Sequence, residues 1–281
     1  MENAEQIKQV VREKYSEIAL QDKAANESSC CGASSCSSEV YNIMSDDYAT
    51  LKGYNPDADL GLGCGLPTQF AKIKKGDVVV DLGSGAGNDC FVARAETGET
   101  GKVIGIDMTE AMINRARINT EKLGFHNVEF RLGEIEKMPL TSNVADVVVS
   151  NCVLNLVPDK QKAFAEIHRI LKAGGHFSIS DIVLTGALPE KILKTAELYA
   201  GCVAGAIQKE EYLGIIRSLG FQNITVQKEK AIPVPVDILS NYLTAEEIAL
   251  YQQSGVSIFS ITVYAEKKKE EACCDKTTCC N

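Results

Sequence analysis

No apolar run in this sequence approaches the roughly 18 to 20 residues needed to cross a bilayer, so no membrane partner is expected. The opening MENAEQIKQVV is charged and lacks a signal peptide's apolar stretch, which argues against secretion. Basic residues are in deficit, 29 against 38 acidic ones, and the net charge of -9 argues against nucleic acid as a partner. Histidine is scarce: His126, His168 and His176 are too scattered to nominate a catalytic base and read as surface or structural residues. No internal repeat at solenoid spacing is present. With 45% hydrophobic and 24% charged residues over 281 positions, the chain reads as a globular, cytoplasmic protein.

Cysteine is abundant instead, with 11 residues at 30, 31, 36, 64, 90, 152, 202, 273, 274, 279 and 280. In a reducing cytosol such a number points to soft-metal binding or thiol redox chemistry rather than a disulfide framework. Cys90 falls inside a helix pattern, where a small core residue explains it as readily as chemistry does. Cys64 sits in Gly61-Leu-Gly-Cys-Gly65, and glycines on both sides suggest an exposed thiol in a movable loop.

From residue 77 the pattern is regular. Strands are expected at 78–80, 102–106, 127–132, 145–150, 176–183, 222–229 and 256–265. Helices are expected at 4–22, 88–96, 109–123, 159–172, 189–200, 209–219 and near 236–251, with Gly174-Gly175 stopping the fourth of these. Strands separated by helices predict an α/β fold with a doubly wound, mainly parallel sheet. Residues 1–66 read as an N-terminal helix and a cysteine-bearing cap, and 67–185 as the core. Residues 186–265 read as a C-terminal lobe completing the sheet, and 266–281 as a cysteine-rich tail with nothing to pack against.

The strongest local motif is Asp81-Leu-Gly83-Ser84-Gly85-Ala-Gly87, following the apolar strand 78–80. A glycine turn at the carboxyl edge of a parallel sheet lets backbone approach a ligand closely. The dinucleotide spacing G-x-G-x-x-G fails here, because Asn88 stands where the third glycine belongs. The turn resembles that of class I S-adenosylmethionine-dependent methyltransferases. The resemblance implies a seven-stranded, Rossmann-like fold, with Asp81 near the methionine end of the cofactor and Gly83, Ser84, Gly85 and Gly87 forming its cradle. Asp107, in Gly105-Ile-Asp-Met108, would accept both ribose hydroxyls. Met108, Glu134 and Ile135 would lie at the nucleoside, and Asn151 beside the cofactor.

Three further pieces are more specific: Gly61-Leu-Gly-Cys-Gly, Ser150-Asn-Cys-Val-Leu-Asn-Leu and Gly201-Cys-Val-Ala-Gly. With Ser180-Asp-Ile and the glycine turn, they make the chain similar to arsenite methyltransferases over roughly residues 5 to 265. The resemblance implies four catalytic cysteines, which fall on Cys36, Cys64, Cys152 and Cys202. Cys30 and Cys31 share a loop with Cys36 and remain alternatives for the first. Cys64, Cys152 and Cys202 would hold As(III), a soft centre that prefers thiolates, with its lone pair left to attack the sulfonium methyl. Cys36 and Cys64 would then close a disulfide that returns arsenic to the trivalent state, and thioredoxin or glutathione would reopen it. Arsenite and trivalent methylated arsenicals are the implied substrates, and arsenic detoxification the implied role.

Rival readings stay open on the residues alone. A small-molecule methyltransferase with incidental cysteines and a non-enzymatic metalloid-binding thiol protein both fit parts of the sequence. Structural zinc favours short paired spacings, whereas Cys64, Cys152 and Cys202 are 88 and 50 residues apart. The Cys273-Cys274…Cys279-Cys280 tail could clamp zinc, copper or arsenic without being catalytic.

Overall fold

The computed structural model describes residues 4–21, 46–186, 203, 205–232, 236–240, 243–254 and 256–269. Among these, no helix is long and apolar enough to cross a membrane. Helix α1 (Ala4–Ala19) is followed by turns and the short helix α2 (Pro67–Phe70). The alternating core then runs β1 (Val78–Leu82), α3 (Asn88–Thr97), β2 (Lys102–Asp107), α4 (Glu110–Leu123), β3 (Val128–Leu132) and β4 (Ala145–Asn151). After a 3-10 turn at Leu154–Leu156 come α5 (Lys160–Ile170), β5 (Leu171–Thr185), α6 (Lys209–Ser218) and β6 (Phe221–Ile232). Two short helices, α7 (Val236–Leu239) and α8 (Ala245–Gln253), precede β7 (Ser257–Lys267).

The strands form one sheet of order β3-β2-β1-β4-β5-β7-β6. The first five strands pair in parallel, and β7 runs antiparallel to both β5 and β6. Strand order reverses between β1 and β4, which opens a crevice beyond their carboxyl ends, the place where such sheets bind ligands. Near-continuous apolar strands require cover on both faces. On one side α5 and α6 supply Phe164, Ile167, Tyr212 and Ile216. On the other, α1, α3 and α4 supply Ile18, Phe91, Met112 and Ala116. A smaller cluster joins Val11 of α1 and the thiols of Cys64 and Cys152 to Ile232, Leu239, Ile248 and Ile258.

Three boundaries differ from the sequence reading. The fourth expected helix ends at Ile170, and β5 starts at once with Leu171 opposite Ala145. Gly174-Gly175 form a bulge inside β5, after which the register resumes with Val147 opposite His176. A Cβ on Gly175 would lie 2.9 Å from the Asp146 carbonyl oxygen, so glycine serves close strand approach there rather than helix termination. The helix expected near 236–251 is two helices, because Thr244 and Glu247 form a capping box that starts α8 afresh. The helix expected at 189–200 lies outside the described residues.

Phe164 is fully buried, with its ring 5.8 Å from that of Phe177 and 5.4 Å from that of Tyr212. Phe164→Ala is expected to lower the unfolding free energy by about 3 to 5 kcal/mol through cavity formation. Urea denaturation checks this, as a lower midpoint at an unchanged slope.

Candidate functional site

The crevice at the β1/β4 reversal is a deep cleft holding about 1090 Å³ of empty space up to its open mouth. That suits a ligand of nucleoside size. Its floor is the glycine turn. Gly83 has φ +67, and a Cβ there would run into the Val153 side chain, so only glycine lets the chain turn here. Gly85 and Gly87 also have positive φ, and Gly87 stands at the N-cap of α3.

Three carboxylates converge on the cleft. Asp107, half-buried at the end of β2, accepts the N–H of Gly85 at 3.0 Å on one oxygen and that of Thr109 at 2.8 Å on the other. The Met108 N–H and the Thr109 hydroxyl add to these donors, and the carboxylate lines the cleft. Asp81, at 2% exposure, accepts the Cys90 thiol at 3.2 Å. Asp89, in the first turn of α3, accepts Tyr48 Oη at 2.8 Å and Thr68 Oγ1 at 3.4 Å. Burial raises the pKa of all three. Asp81 goes well above the ordinary range, helped by the neighbouring charge of Asp89. Asp89 rises to about 6 despite hydrogen bonds from Tyr48, Asn151 and Thr68 that oppose the shift.

No cationic side chain among the described residues pairs with these acids. Lys8 of α1 reaches the cleft but is spent on Glu134, at 2.7 Å, and on Glu136, while Arg12 adds a contact to Glu134 at 3.4 Å. Through these ion pairs α1 lies along the rim, with Val11 and Tyr15 also facing the cleft. Two buried polar atoms in the lining have no hydrogen-bond partner, Ser84 Oγ and Asn88 Oδ1. Buried polar groups in native proteins are almost always satisfied, so two unpaired polar atoms on residues of the lining leave hydrogen-bonding capacity that a ligand could use.

S-adenosylmethionine fits this donor set. Its positive charges match carboxylates that lack a cationic partner, its ribose hydroxyls match the strand-end carboxylate of Asp107, and its polar edges match Ser84 and Asn88. Met108, Glu134, buried Ile135 and Asn151 line the same cleft. The structure therefore brings nine of the ten residues expected at the cofactor from sequence into the lining of one cleft; the tenth, Gly87, caps α3 behind the turn and is not part of the lining. Sequence reasoning missed Tyr48, Asp89, Lys8, Val11 and Tyr15. Tyr48 carried no local signal, because its partners lie 41 and 103 residues away.

The thiols lie at one end of the cleft. Cys152 follows β4 directly and has φ +61, a conformation rare for a residue with a side chain. It is held there by its own N–H on the Ser180 carbonyl at 2.8 Å. Cys64 and Cys152 are joined as a disulfide with Cα atoms 5.7 Å apart. The pairing expected for Cys64 was with Cys36, which lies outside the described residues, as do Cys30, Cys31, Cys202 and the tail cysteines. Cys64 is also not the exposed, mobile thiol its glycines suggested. It is fully buried. Its N–H donates to Asn151 Oδ1 at 3.0 Å and its carbonyl accepts Ser260 Oγ at 2.5 Å. A Cβ on Gly65 would sit 2.5 Å from Ser180 Oγ, so glycine here allows close packing on β5 rather than freedom. Cys90 is a buried free thiol. Among the described residues no set of three His, Cys, Asp or Glu side chains is placed to hold a metal ion, so any three-thiol centre needs a cysteine from outside them.

A methyltransferase-domain family model matches residues 73–224, and a protein-L-isoaspartate(D-aspartate) O-methyltransferase model matches residues 2–138. The arsenite methyltransferase of Halobacterium salinarum is 40% identical over 233 residues, covering 79% of this chain and 59% of that protein. That of Aquipseudomonas alcaligenes is 31% identical over 240 residues, covering 83% of this chain and 67% of that protein. The mouse arsenite methyltransferase is 40% identical over 170 residues, covering 57% of this chain and 44% of that protein. The chain thus spans about three fifths of its halobacterial relative and less than half of the murine one. Among solved structures, the arsenic(III) S-adenosylmethionine methyltransferase of Chlamydomonas reinhardtii superposes with a TM-score of 0.62 at 33% identity, over 74% of this chain and 68% of that one. A phosphoethanolamine N-methyltransferase of Haemonchus contortus in complex with S-adenosyl-L-methionine gives 0.57 at 18% identity, over 82% of this chain and 56% of that one, and shares the fold. The chain belongs to the arsenite methyltransferase family of class I methyltransferases.

Proposed function

We propose that this protein methylates trivalent arsenic, held by its own cysteine thiolates, with S-adenosylmethionine as methyl donor. The observation that carries the reading is the cysteine pair Cys64 and Cys152 beside a cleft in which Asp81, Asp89 and Asp107 have no cationic partner. When bound, the cofactor supplies an electrophilic methyl carbon on a positively charged sulfur. Asp107 holds the ribose hydroxyls, Asp81 the methionine end, and Glu134 and Ile135 the adenine side, while Ser84 and Asn88 gain the partners they lack.

Opening the Cys64–Cys152 disulfide takes two external thiols, which leave as their own disulfide, and frees both protein thiols. Arsenous acid then exchanges hydroxides for thiolates, each exchange moving a thiol proton onto a leaving hydroxide to make water. Cys202 completes a three-thiolate set. The thiolates leave arsenic its lone pair, and the protein's part is to place that pair toward the methyl end of the cleft. Gaining a methyl cation equivalent oxidises arsenic by two electrons. A cysteine pair returns them by closing a disulfide with loss of two protons. Cys36 and Cys64 are the pair proposed, with Cys30 or Cys31 as substitutes for Cys36. Thioredoxin or glutathione resets the pair. The setting is a cytoplasmic one, and the role arsenic detoxification.

Asp107→Ala is expected to weaken S-adenosylhomocysteine binding by about tenfold or more, since each ribose hydrogen bond to a charged acceptor is worth about 1.5 to 3 kcal/mol. Calorimetric titration checks this, and unchanged affinity would mean that another acid holds the ribose. A pH dependence also follows. Asp89 keeps its proton up to about pH 6 in the free protein, and a cationic ligand favours its ionised form. Affinity for S-adenosylmethionine should therefore fall by up to about tenfold per unit below pH 6, with proton release on binding, and level off above it. Equal heats in buffers of different ionisation enthalpy at pH 5.5 would refute the linkage.

The cysteines separate by valence. Arsenite offers three bonds to thiolates, whereas trivalent methylarsenite offers two. Cys152→Ser and Cys202→Ser should abolish methylation of both substrates. Cys36→Ser and Cys64→Ser should block arsenite and spare methylarsenite. Product speciation with excess thiol reads this directly. Equal loss of both activities in Cys64→Ser would defeat the two-thiol account of the second substrate.

A further inference from the structure

Tyr48 belongs to none of the motifs that identify the cofactor or the thiols, yet it stands where the two meet. It is buried, at 6% exposure, and lines the cleft. Its hydroxyl donates to Asp89 Oδ2 at 2.8 Å, with the Gly65 carbonyl a longer second acceptor at 3.2 Å, and accepts from Asn151 Nδ2 at 2.5 Å. The second hydrogen of that amide goes to the Gly65 carbonyl at 2.8 Å, its nitrogen also stands 3.3 Å from Asp89 Oδ2, and Asn151 Oδ1 accepts the Cys64 N–H at 3.0 Å. A chain of hydrogen bonds therefore runs from an acid of the cofactor cleft, through one phenol and one amide, to the backbone on both sides of the Cys64 side chain.

The direction of this chain is fixed by chemistry. Once ionised, above about pH 6, the Asp89 carboxylate only accepts, so the phenol donates its one proton there at 2.8 Å in preference to the Gly65 carbonyl at 3.2 Å. The phenol oxygen is left to accept, which orients the Asn151 amide with its nitrogen toward Tyr48 and its oxygen toward Cys64. Burial and the charge of Asp89 push the Tyr48 pKa well up, so the proton stays on the phenol. Flipping the amide would put two acceptors together at Tyr48 and two donors at Cys64.

We propose that Tyr48 is a positioning residue that holds the Asp89 carboxylate toward the cofactor and, through Asn151, the Cys64 thiol toward its partner cysteine. This deepens the reading of the site as one for S-adenosylmethionine and rests on it for the cofactor arm. The thiol arm rests on geometry alone. The charged and titratable groups facing Asp89 are Tyr48, Asp59 and Asp81, with Cys90 beyond Asp81.

The test uses the reduced full-length protein, Tyr48→Phe, and Thr68→Val, which removes the other hydroxyl donor to Asp89 and leaves the Asn151 arm intact. S-adenosylmethionine itself is titrated calorimetrically from pH 5 to 8, and the alkylation rate of Cys64 is read by peptide mass spectrometry. Tyr48→Phe should weaken cofactor binding at pH 6.5 by about threefold to tenfold, the worth of one hydrogen bond. It should raise the pH midpoint of that affinity, and it should speed Cys64 alkylation by a similar factor. Thr68→Val should raise the midpoint and leave alkylation unchanged. In an Asp89→Asn background, Tyr48→Phe should leave the midpoint where it is and still speed alkylation. An unmoved midpoint in Tyr48→Phe, or equal alkylation effects in both single variants, overturns the proposal. Wild-type protein that does not bind S-adenosylmethionine overturns the cofactor reading and this proposal together. Wild-type protein that binds it but does not methylate arsenite overturns only the substrate reading, and the two arms of Tyr48 are still decided by midpoint and alkylation.

Discussion

Negative charge without a counter-cation, at the point where the sheet reverses, is the constraint around which the site is built. Asp81, Asp89 and Asp107 end strands or begin a helix at the carboxyl edge, and none has an ion-pair partner among the described residues. Neutral donors are arranged on each instead: a thiol on Asp81, two hydroxyls and an amide on Asp89, backbone N–H groups on Asp107. A lysine is close at hand in Lys8, yet Glu134 and Glu136 draw it to the rim. The arrangement keeps an electrostatic vacancy that a cation fills, and a dianionic pyrophosphate would be repelled from it. The same exclusion appears in the sequence as a glycine spacing that does not match a dinucleotide turn.

The thiol end is fixed by different means. Cys152 sits in a left-handed conformation anchored on β5, and Asn155 bonds the same strand through the Ile182 carbonyl at 2.7 Å. The Cys64 segment is pressed onto β5 and β7 by glycine contacts and the Ser260 bond. Below them, fully buried Asp181 accepts the Tyr212 hydroxyl at 3.3 Å and the Asn155 N–H, and its pKa rises to about 7 through burial, against the nearby charge of Lys160. Backbone hydrogen bonds to rigid strands place the sulfurs, whereas the cofactor end depends on side-chain donors. Asn151 and Tyr48 contact both systems directly, each bonding Asp89 on one side and the Cys64–Gly65 backbone on the other.

Much of the fold was legible because parallel strands buried on both faces read as apolar runs, and the seven runs lie within a few residues of β1 to β7. Boundaries failed where glycine had two meanings. Gly174-Gly175 read as a helix stop and is a strand bulge, and Gly63 and Gly65 read as freedom around Cys64 and are close contacts. A sequence shows that a side chain is missing but not what fills the space. The cofactor residues were legible because they follow strand ends in order. Tyr48 was not, since a lone tyrosine in a turn-rich segment has no periodicity, and its role arises only when residues 48, 89 and 151 meet across the sheet edge. The disulfide partner of Cys64 was unreadable for the same reason, being set by the approach of two loops 88 residues apart.

The acids that suit the cleft to a cation weaken the free protein, and the sign can be followed. Asp89 binds its proton more tightly folded, at about 6, than an unfolded aspartate does at roughly 3.9. Its contribution to stability is therefore full below the unfolded value and is lost as pH rises from about 4 through 6. Asp181, at about 7, extends the loss further. Near neutral pH the ligand-free molecule carries ionised carboxylates that burial disfavours and no side-chain cation relieves. Ligand binding returns part of that energy, because a positive charge in the cleft stabilises the form the solvent pH already imposes. On the proposed function, the stability given up at the β1/β4 edge would favour a charged donor over its neutral product, since the sulfonium charge disappears when the methyl leaves.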